Sequence, residues 1–102
     1  MITDAQLIEF CGYVGIMRQA HYAKNYPEFA ADYCPPLVFE RGAKNARIIG
    51  TIAGQRSVFC FVRLEDGAIL KAAGWRAPAK HARGNIANGA ADVGPYGPAY
   101  LR

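Results

Sequence analysis

The sequence predicts an α+β fold: an N-terminal helix packed on a three- or four-stranded antiparallel meander, with a long ordered C-terminal arm. Three observations predict it. Apolar residues recur at helical spacing near the N-terminus, the spacing then becomes alternating, and the links between the alternating segments are short. A chain of 102 residues, of which 52% are hydrophobic and 20% charged, is long enough for one globular domain.

The helix is predicted from about residue 4 to residue 24. Thr3 and Gln6 form a capping box, in which each side chain bonds the backbone N–H of the other. Apolar residues follow at helical spacing. The segment before Pro27 ends the helix, because the residue that precedes a proline resists the α conformation.

Three strands are predicted with short turns between them, at about residues 46–53, 56–64 and 68–73. A fourth, shorter strand at residues 37–40 would precede them. Residues 74–102 lack sustained periodicity and form the predicted arm. A long irregular segment in a compact domain is commonly functional.

Association into a homo-oligomer is predicted on two grounds. The strand that contains Val58–Val62 is apolar on both faces, and the helix covers only one of them. The C-terminal segment or a second subunit must cover the other. Gly12 and Gly15 also leave a bare strip on the helix where another backbone can approach.

Charge is distributed unevenly along the chain. The net charge is +4, and residues 41–102 carry ten lysines and arginines against three acids. This excess indicates an anionic partner for the second half of the chain. Ordinary solubility charge is the alternative.

The cysteines, the N-terminus and the apolar runs exclude several classes of protein. Cys11, Cys34 and Cys60 are odd in number and widely spaced, which favours free thiols over a disulfide framework or a zinc site. No apolar run reaches the roughly 20 residues that span a bilayer. We therefore expect a cytoplasmic protein without a signal peptide, metal or cofactor, and without a membrane partner.

The candidate site is a basic block around the only tryptophan. Cations beside an exposed ring can neutralise phosphates and stack a base. Helical turns at residues 77–83 would place Arg76, Lys80 and Arg83 on one side. Trp75 is either a stacking surface or a buried core residue. The predicted ligand-binding residues are Lys71, Trp75, Arg76, Lys80, His81, Arg83 and Asn85.

Four segments of the second half of the chain form a pattern together: Arg56–Val62, Gly67–Lys80, Arg83–Ile86 and Pro95–Leu101. In these segments the chain resembles a family of small uncharacterised proteins from tailed bacteriophages. The resemblance implies a phage protein expressed in the cytoplasm of the infected bacterial host, and it implies no activity.

Three functions follow as hypotheses, and none is enzymatic because no acid–base pair or nucleophile constellation emerges. The leading one is binding of a small anionic nucleotide-type ligand, which in a phage would sequester a host nucleotide immune signal as an anti-defence protein. The second is binding of single-stranded nucleic acid in phage replication or packaging. The third is inhibition of a host protein through the aromatic N-terminal surface.

Overall fold

The computed structural model describes residues 1–28 and 34–98, and within them one helix packs on one face of a five-stranded antiparallel sheet. The helix is α1 (Asp4–Asn25), and the strands are β1 (Val38–Arg41), β2 (Asn45–Ile52), β3 (Gln55–Arg63), β4 (Ala68–Ala72) and β5 (Pro78–Asn85). Strands that are adjacent in the chain are adjacent in the sheet. The predicted α+β class and antiparallel meander are confirmed.

The segment after β4 differs from the predicted irregular arm. Residues 78–85 form a fifth strand, so the helical turns predicted at residues 77–83 are wrong. Pro78 stands at the start of this edge strand, where a missing N–H is tolerated. The pairing of β4 with β5 shifts register twice, which hides the two-residue alternation that would reveal a strand.

A short two-stranded hairpin follows β5. A 3-10 turn over Ile86–Asn88 leads into β6 (Val93–Gly94) and β7 (Gly97–Pro98). Val93 is buried in the core that α1 forms with the sheet. Residues 99–102 of the predicted arm lie outside the described residues.

The helix begins at the predicted capping box and ends one residue later than predicted. Gln6 N–H donates to Thr3 Oγ1 (3.3 Å), and Thr3 N–H donates to Gln6 Oε1 (2.8 Å). Its buried residues are Leu7, Phe10, Cys11, Val14 and Arg18. The apolar members pack against β2 and β3, so the helix covers one face of the sheet.

Strand β3 is buried on both faces within a single chain. A bulge between the pairs Ile48–Cys60 and Ile49–Val58 leaves Phe59 as an extra residue, and Phe59 and Cys60 both join the core beneath α1. Phe61 follows on the outer face and is only 4% exposed. The loop after β4 crosses this outer face, since Arg47 Nε on β2 donates to the Trp75 carbonyl at 2.8 Å.

Of the two coverings predicted for the outer face of β3, the segment after β4 supplies one within the described part of the chain, so this face gives no argument for association. The strip at Gly12 and Gly15 has no heavy atom within 4 Å of where a Cβ would stand. Ile8 and Ile16 beside it are 62% and 71% exposed. The homo-oligomer stays a prediction, and the exposed strip at Gly12 and Gly15 is the feature that supports it.

The three cysteines are free and buried. Burial raises the pKa of the Cys11 thiol to about 11 and raises that of Cys60 further. These two thiols stay protonated at neutral pH and are poor nucleophiles. Among the described residues, no helix is long and apolar enough to cross a membrane.

Arg18 is a charged residue in the core. It is 4% exposed, and its Nε and Nη1 have no hydrogen-bond partner among the described residues. Its guanidinium lies over the Phe59 ring, 5.4 Å from the centroid. A Cβ on Gly50 would stand 2.9 Å from Nη1, so the glycine gives the guanidinium its space. Cation–π attraction of about 2 kcal/mol offsets part of a larger desolvation cost.

We expect Arg18→Met to stabilise the fold. Replacing buried charge with an apolar side chain of similar volume is often neutral or stabilising, by about 1–4 kcal/mol. Urea unfolding should show a higher midpoint at an unchanged slope. Arg18→Lys is the control. It keeps the charge but loses the contact of the planar guanidinium with the Phe59 ring, and it should not be more stable than wild type. A clear loss of stability in Arg18→Met would show that the guanidinium is paired in the folded protein.

The turn between β3 and β4 is held by an ion pair. Arg63 Nη2 donates to Asp66 Oδ2 at 2.7 Å and Arg63 Nε to Oδ1 at 3.0 Å, while the Ala68 N–H also donates to Oδ1 at 3.0 Å. Arg63 first, and then the Ala68 N–H, lower the pKa of the Asp66 carboxyl to about 2. Gly67 adopts a φ of 80° here, in the left-handed region that glycine tolerates.

Arg63→Gln should raise the Asp66 pKa from about 2 toward the ordinary 3.8. Because the folded-state pKa is depressed, this carboxylate favours folding above pH 4, and the contribution is lost as pH falls toward 2. NMR titration of the carboxyl measures the pKa, and acid unfolding should show less loss of stability between pH 4 and 2. Arg56→Gln is the matched control. An unchanged Asp66 pKa in Arg63→Gln would contradict the assignment.

Candidate functional site

The structure distributes the predicted basic block over separate locations. A strand turns successive side chains to opposite faces, so the one-sided grouping that a helix would give does not arise. Lys71 and Arg83 meet at one pocket, while Trp75 and Arg76 lie on the outer face of the sheet. Lys80 and His81 are exposed on β5.

The pocket lies where β3 and β4 separate. The two strands pair only at Phe61–Leu70 and Val62–Ile69, and the β6–β7 hairpin packs over the gap beyond. We call the resulting cavity of about 370 Å³ the hairpin pocket. It is lined by Val58, Phe59, Lys71, Ala72, Arg83, Gly94, Pro95, Tyr96, Gly97 and Pro98.

The chemistry of the hairpin pocket suits an anion with an aromatic part. Its two charged lining residues, Lys71 and Arg83, are both cations, and no described carboxylate lines it. Phe59 and Tyr96 supply rings, and Tyr96 is 70% exposed. The volume falls within the range of roughly 300–1,000 Å³ that is usual for small-molecule sites.

The end of α1 holds the hairpin in place. The Tyr96 hydroxyl lies 3.0 Å from His21 Nε2, and the two rings meet edge to face with centroids 5.3 Å apart. Asn25 Nδ2 lies 3.2 Å from His21 Nδ1 and donates to the His21 carbonyl at 2.9 Å. His21 thus positions a pocket wall. No local sequence signal could join two residues that are 75 positions apart.

Asn85 belongs to a turn rather than to the hairpin pocket. Its Nδ2 donates to the Asp66 carbonyl at 2.8 Å, and its Oδ1 accepts from the Ala87 N–H at 2.9 Å. Asp92 accepts the Asn85 N–H at 3.1 Å. A Cβ on Gly84 would collide with the Asp92 side chain, so a glycine is required beside this turn. The side chain of Asn85 fixes the end of β5.

Trp75 lies on the outer face and is not the buried core residue that was the alternative, since it is 42% exposed. The Arg47 and Arg56 guanidinium carbons stand 4.9 and 5.6 Å from its ring centroid. These two arginines were missed by sequence reasoning. They lie on β2 and β3, far from Trp75 along the chain, and reach it only because the loop after β4 folds back over the sheet.

The described ranges contain no group of side chains typical of a metal site. Within residues 1–28 and 34–98, no cluster of three or more histidines, cysteines or carboxylates could hold a metal ion. The described residues place Lys71 and Arg83 at one pocket and leave the rings of Tyr96 and Trp75 exposed.

Comparison with known proteins gives a family and no activity. No curated protein and no solved structure matches the chain. Residues 13–92, which include most of α1, the whole sheet and Lys71 and Arg83, match the model of DUF7717, described as a family of unknown function. The match spans well over half of the chain, and the protein belongs to this family.

Proposed function

We propose that this protein is a non-enzymatic binder of a small anionic ligand of nucleotide type, held in the hairpin pocket. One observation carries the proposal. Lys71 and Arg83 both line a single pocket whose other walls are aromatic, aliphatic, proline and glycine residues, with no described acid among them.

The two cations and the rings supply different parts of the interaction. A phosphate between Lys71 and Arg83 makes charge-assisted hydrogen bonds, each worth roughly 1.5–3 kcal/mol. The exposed ring of Tyr96 offers a surface on which a base can stack, at about 1–3 kcal/mol. His21 holds that ring by its hydroxyl, so less side-chain entropy is lost when the ligand binds.

Binding without turnover is favoured by the residue types in the hairpin pocket. None of its lining residues is a histidine, cysteine, serine or carboxylate, which are the residue types that most often act as nucleophile or as general acid and base. In the phage setting that the sequence resemblance implies, such a protein would sequester a nucleotide signal of the host.

Lys71→Gln tests the proposal. Loss of one phosphate contact should weaken binding of a nucleotide about tenfold to hundredfold. Because Lys71 is exposed, the melting temperature should barely change. Isothermal titration at low salt with AMP, cyclic AMP and a cyclic dinucleotide measures the affinity. Lys80→Gln, an exposed cation on β5 outside the pocket, is the matched control and should bind as wild type does.

Two results would overturn the proposal. One is a wild-type protein that binds none of these nucleotides at low salt. The other is an equal loss of affinity in Lys71→Gln and Lys80→Gln, which would mean that general positive charge attracts the ligand. A pocket that holds one or two phosphates should also lose affinity only gently as salt rises.

A further inference from the structure

The outer face of the sheet carries a second group of cations, separate from the hairpin pocket. Lys44, Arg47, Arg56 and Arg76 come from the β1–β2 turn, β2, β3 and the β4–β5 loop. Together with Trp75 we call them the outer-face patch. Lys44, Arg47 and Arg76 line a shallow cavity of about 260 Å³, while Arg47 and Arg56 contact the Trp75 ring. No residue of this patch lines the hairpin pocket.

The outer-face patch contains more cations than carboxylates that pair with them in the described part of the chain. Arg47 Nη1 is paired with Glu40 Oε1 at 2.8 Å. Lys44, Arg56 and Arg76 form no salt bridge with any carboxylate in the described part of the chain. Three cations are therefore available to an anion that approaches the sheet from this side.

Trp75 lies in a loop whose backbone is anchored, whereas Arg56 beside its ring is not anchored in this way. Arg47 is fixed by its bonds to Glu40 and to the Trp75 carbonyl, and the loop itself is closed by Ala73 and Gly74 N–H groups that donate to the Ala77 carbonyl. Arg56 is exposed and has no such anchors among the described residues. It can turn from the indole to a phosphate, which leaves ring surface for a base.

We propose that the outer-face patch binds single-stranded nucleic acid, with a base stacked on Trp75 and the flanking phosphates on Arg56, Arg76 and Lys44. The cations come from two adjacent strands, a turn and a loop, so they suit a chain of phosphates better than a single one. An exposed ring among cations is the arrangement that sequence-tolerant binding of single strands uses.

The test uses the intrinsic fluorescence of Trp75, which is the only tryptophan in the chain. Titration with short oligo(dT) at low salt should quench this fluorescence, because the base stacks on the indole. Affinity should fall steeply with salt, with a slope of about −0.7 per phosphate neutralised. Arg56→Gln and Arg76→Gln should each weaken binding about tenfold and each reduce that slope by about 0.7. Lys24→Gln, on the last turn of α1, is the control.

A second readout separates stacking from simple charge attraction. With a fluorescently labelled oligo(dT), anisotropy should show that Trp75→Ala binds about five- to hundredfold more weakly. Lys71→Gln should bind the oligonucleotide as wild type does, so failure of the nucleotide pocket and failure of this proposal are distinguishable. Three results would each overturn the proposal. The first is no binding of oligo(dT) at low salt, and the second is binding that leaves the Trp75 fluorescence unquenched. The third is an equal affinity for double-stranded DNA, polyglutamate or anionic vesicles.

Discussion

One helix can cover only one face of a sheet, and in this protein the third strand is apolar on both faces. Phe59, Cys60, Phe61 and Val62 are all less than 8% exposed. The helix takes one side, and the loop after β4 must take the other. Exposure of the outer apolar face would cost about 25 cal/mol for each Å² left in water. The path of that loop, and with it the position of Trp75, follows from this constraint.

The way in which the loop is fastened explains the outer-face patch. The loop is held through polar contacts to the strands that it crosses. Arg47 serves this purpose twice, because its Nε bonds the Trp75 carbonyl and its guanidinium lies over the indole. The cations that secure the loop consequently surround the ring. The early end of the β3–β4 pairing leaves the gap that the β6–β7 hairpin covers, and the hairpin pocket forms there.

The sequence predicts the elements whose signals are local. The capping box at Thr3 and Gln6, and the apolar segments of β2, β3 and β4 with short turns between them, locate those elements to within one or two residues. Strand β5 escapes prediction because its register shifts twice and its residues are mostly small or charged. The residues of the candidate site also divide into those with a local signal and those without one. Lys71 and Arg83 were found as members of a basic block, but their pairing depends on β5.

The contacts that build the two candidate sites are long-range, and no window of the sequence contains them. His21 and Tyr96 are 75 positions apart, and Arg47 and Trp75 are 28 apart. Each pair is brought together by the course of the chain over the sheet. Sequence reasoning could therefore identify cations and rings as the relevant chemistry, but it could not sort them into a pocket beside the helix and a patch on the outer face.

Charge is used differently at the turns and at the candidate sites. Asp4, Glu40 and Asp66 each pair with an arginine and fasten the N-terminus, the β1–β2 ladder and the β3–β4 turn. These three carboxylates are neutralised at structural positions. The hairpin pocket and the outer-face patch therefore keep a net positive charge. Arg18 lies next to Phe59, a wall of the hairpin pocket, and is a buried cation whose Nε and Nη1 find no described partner. Its positive field adds to that of Lys71 and Arg83, and low local dielectric makes a buried charge act more strongly than an exposed one.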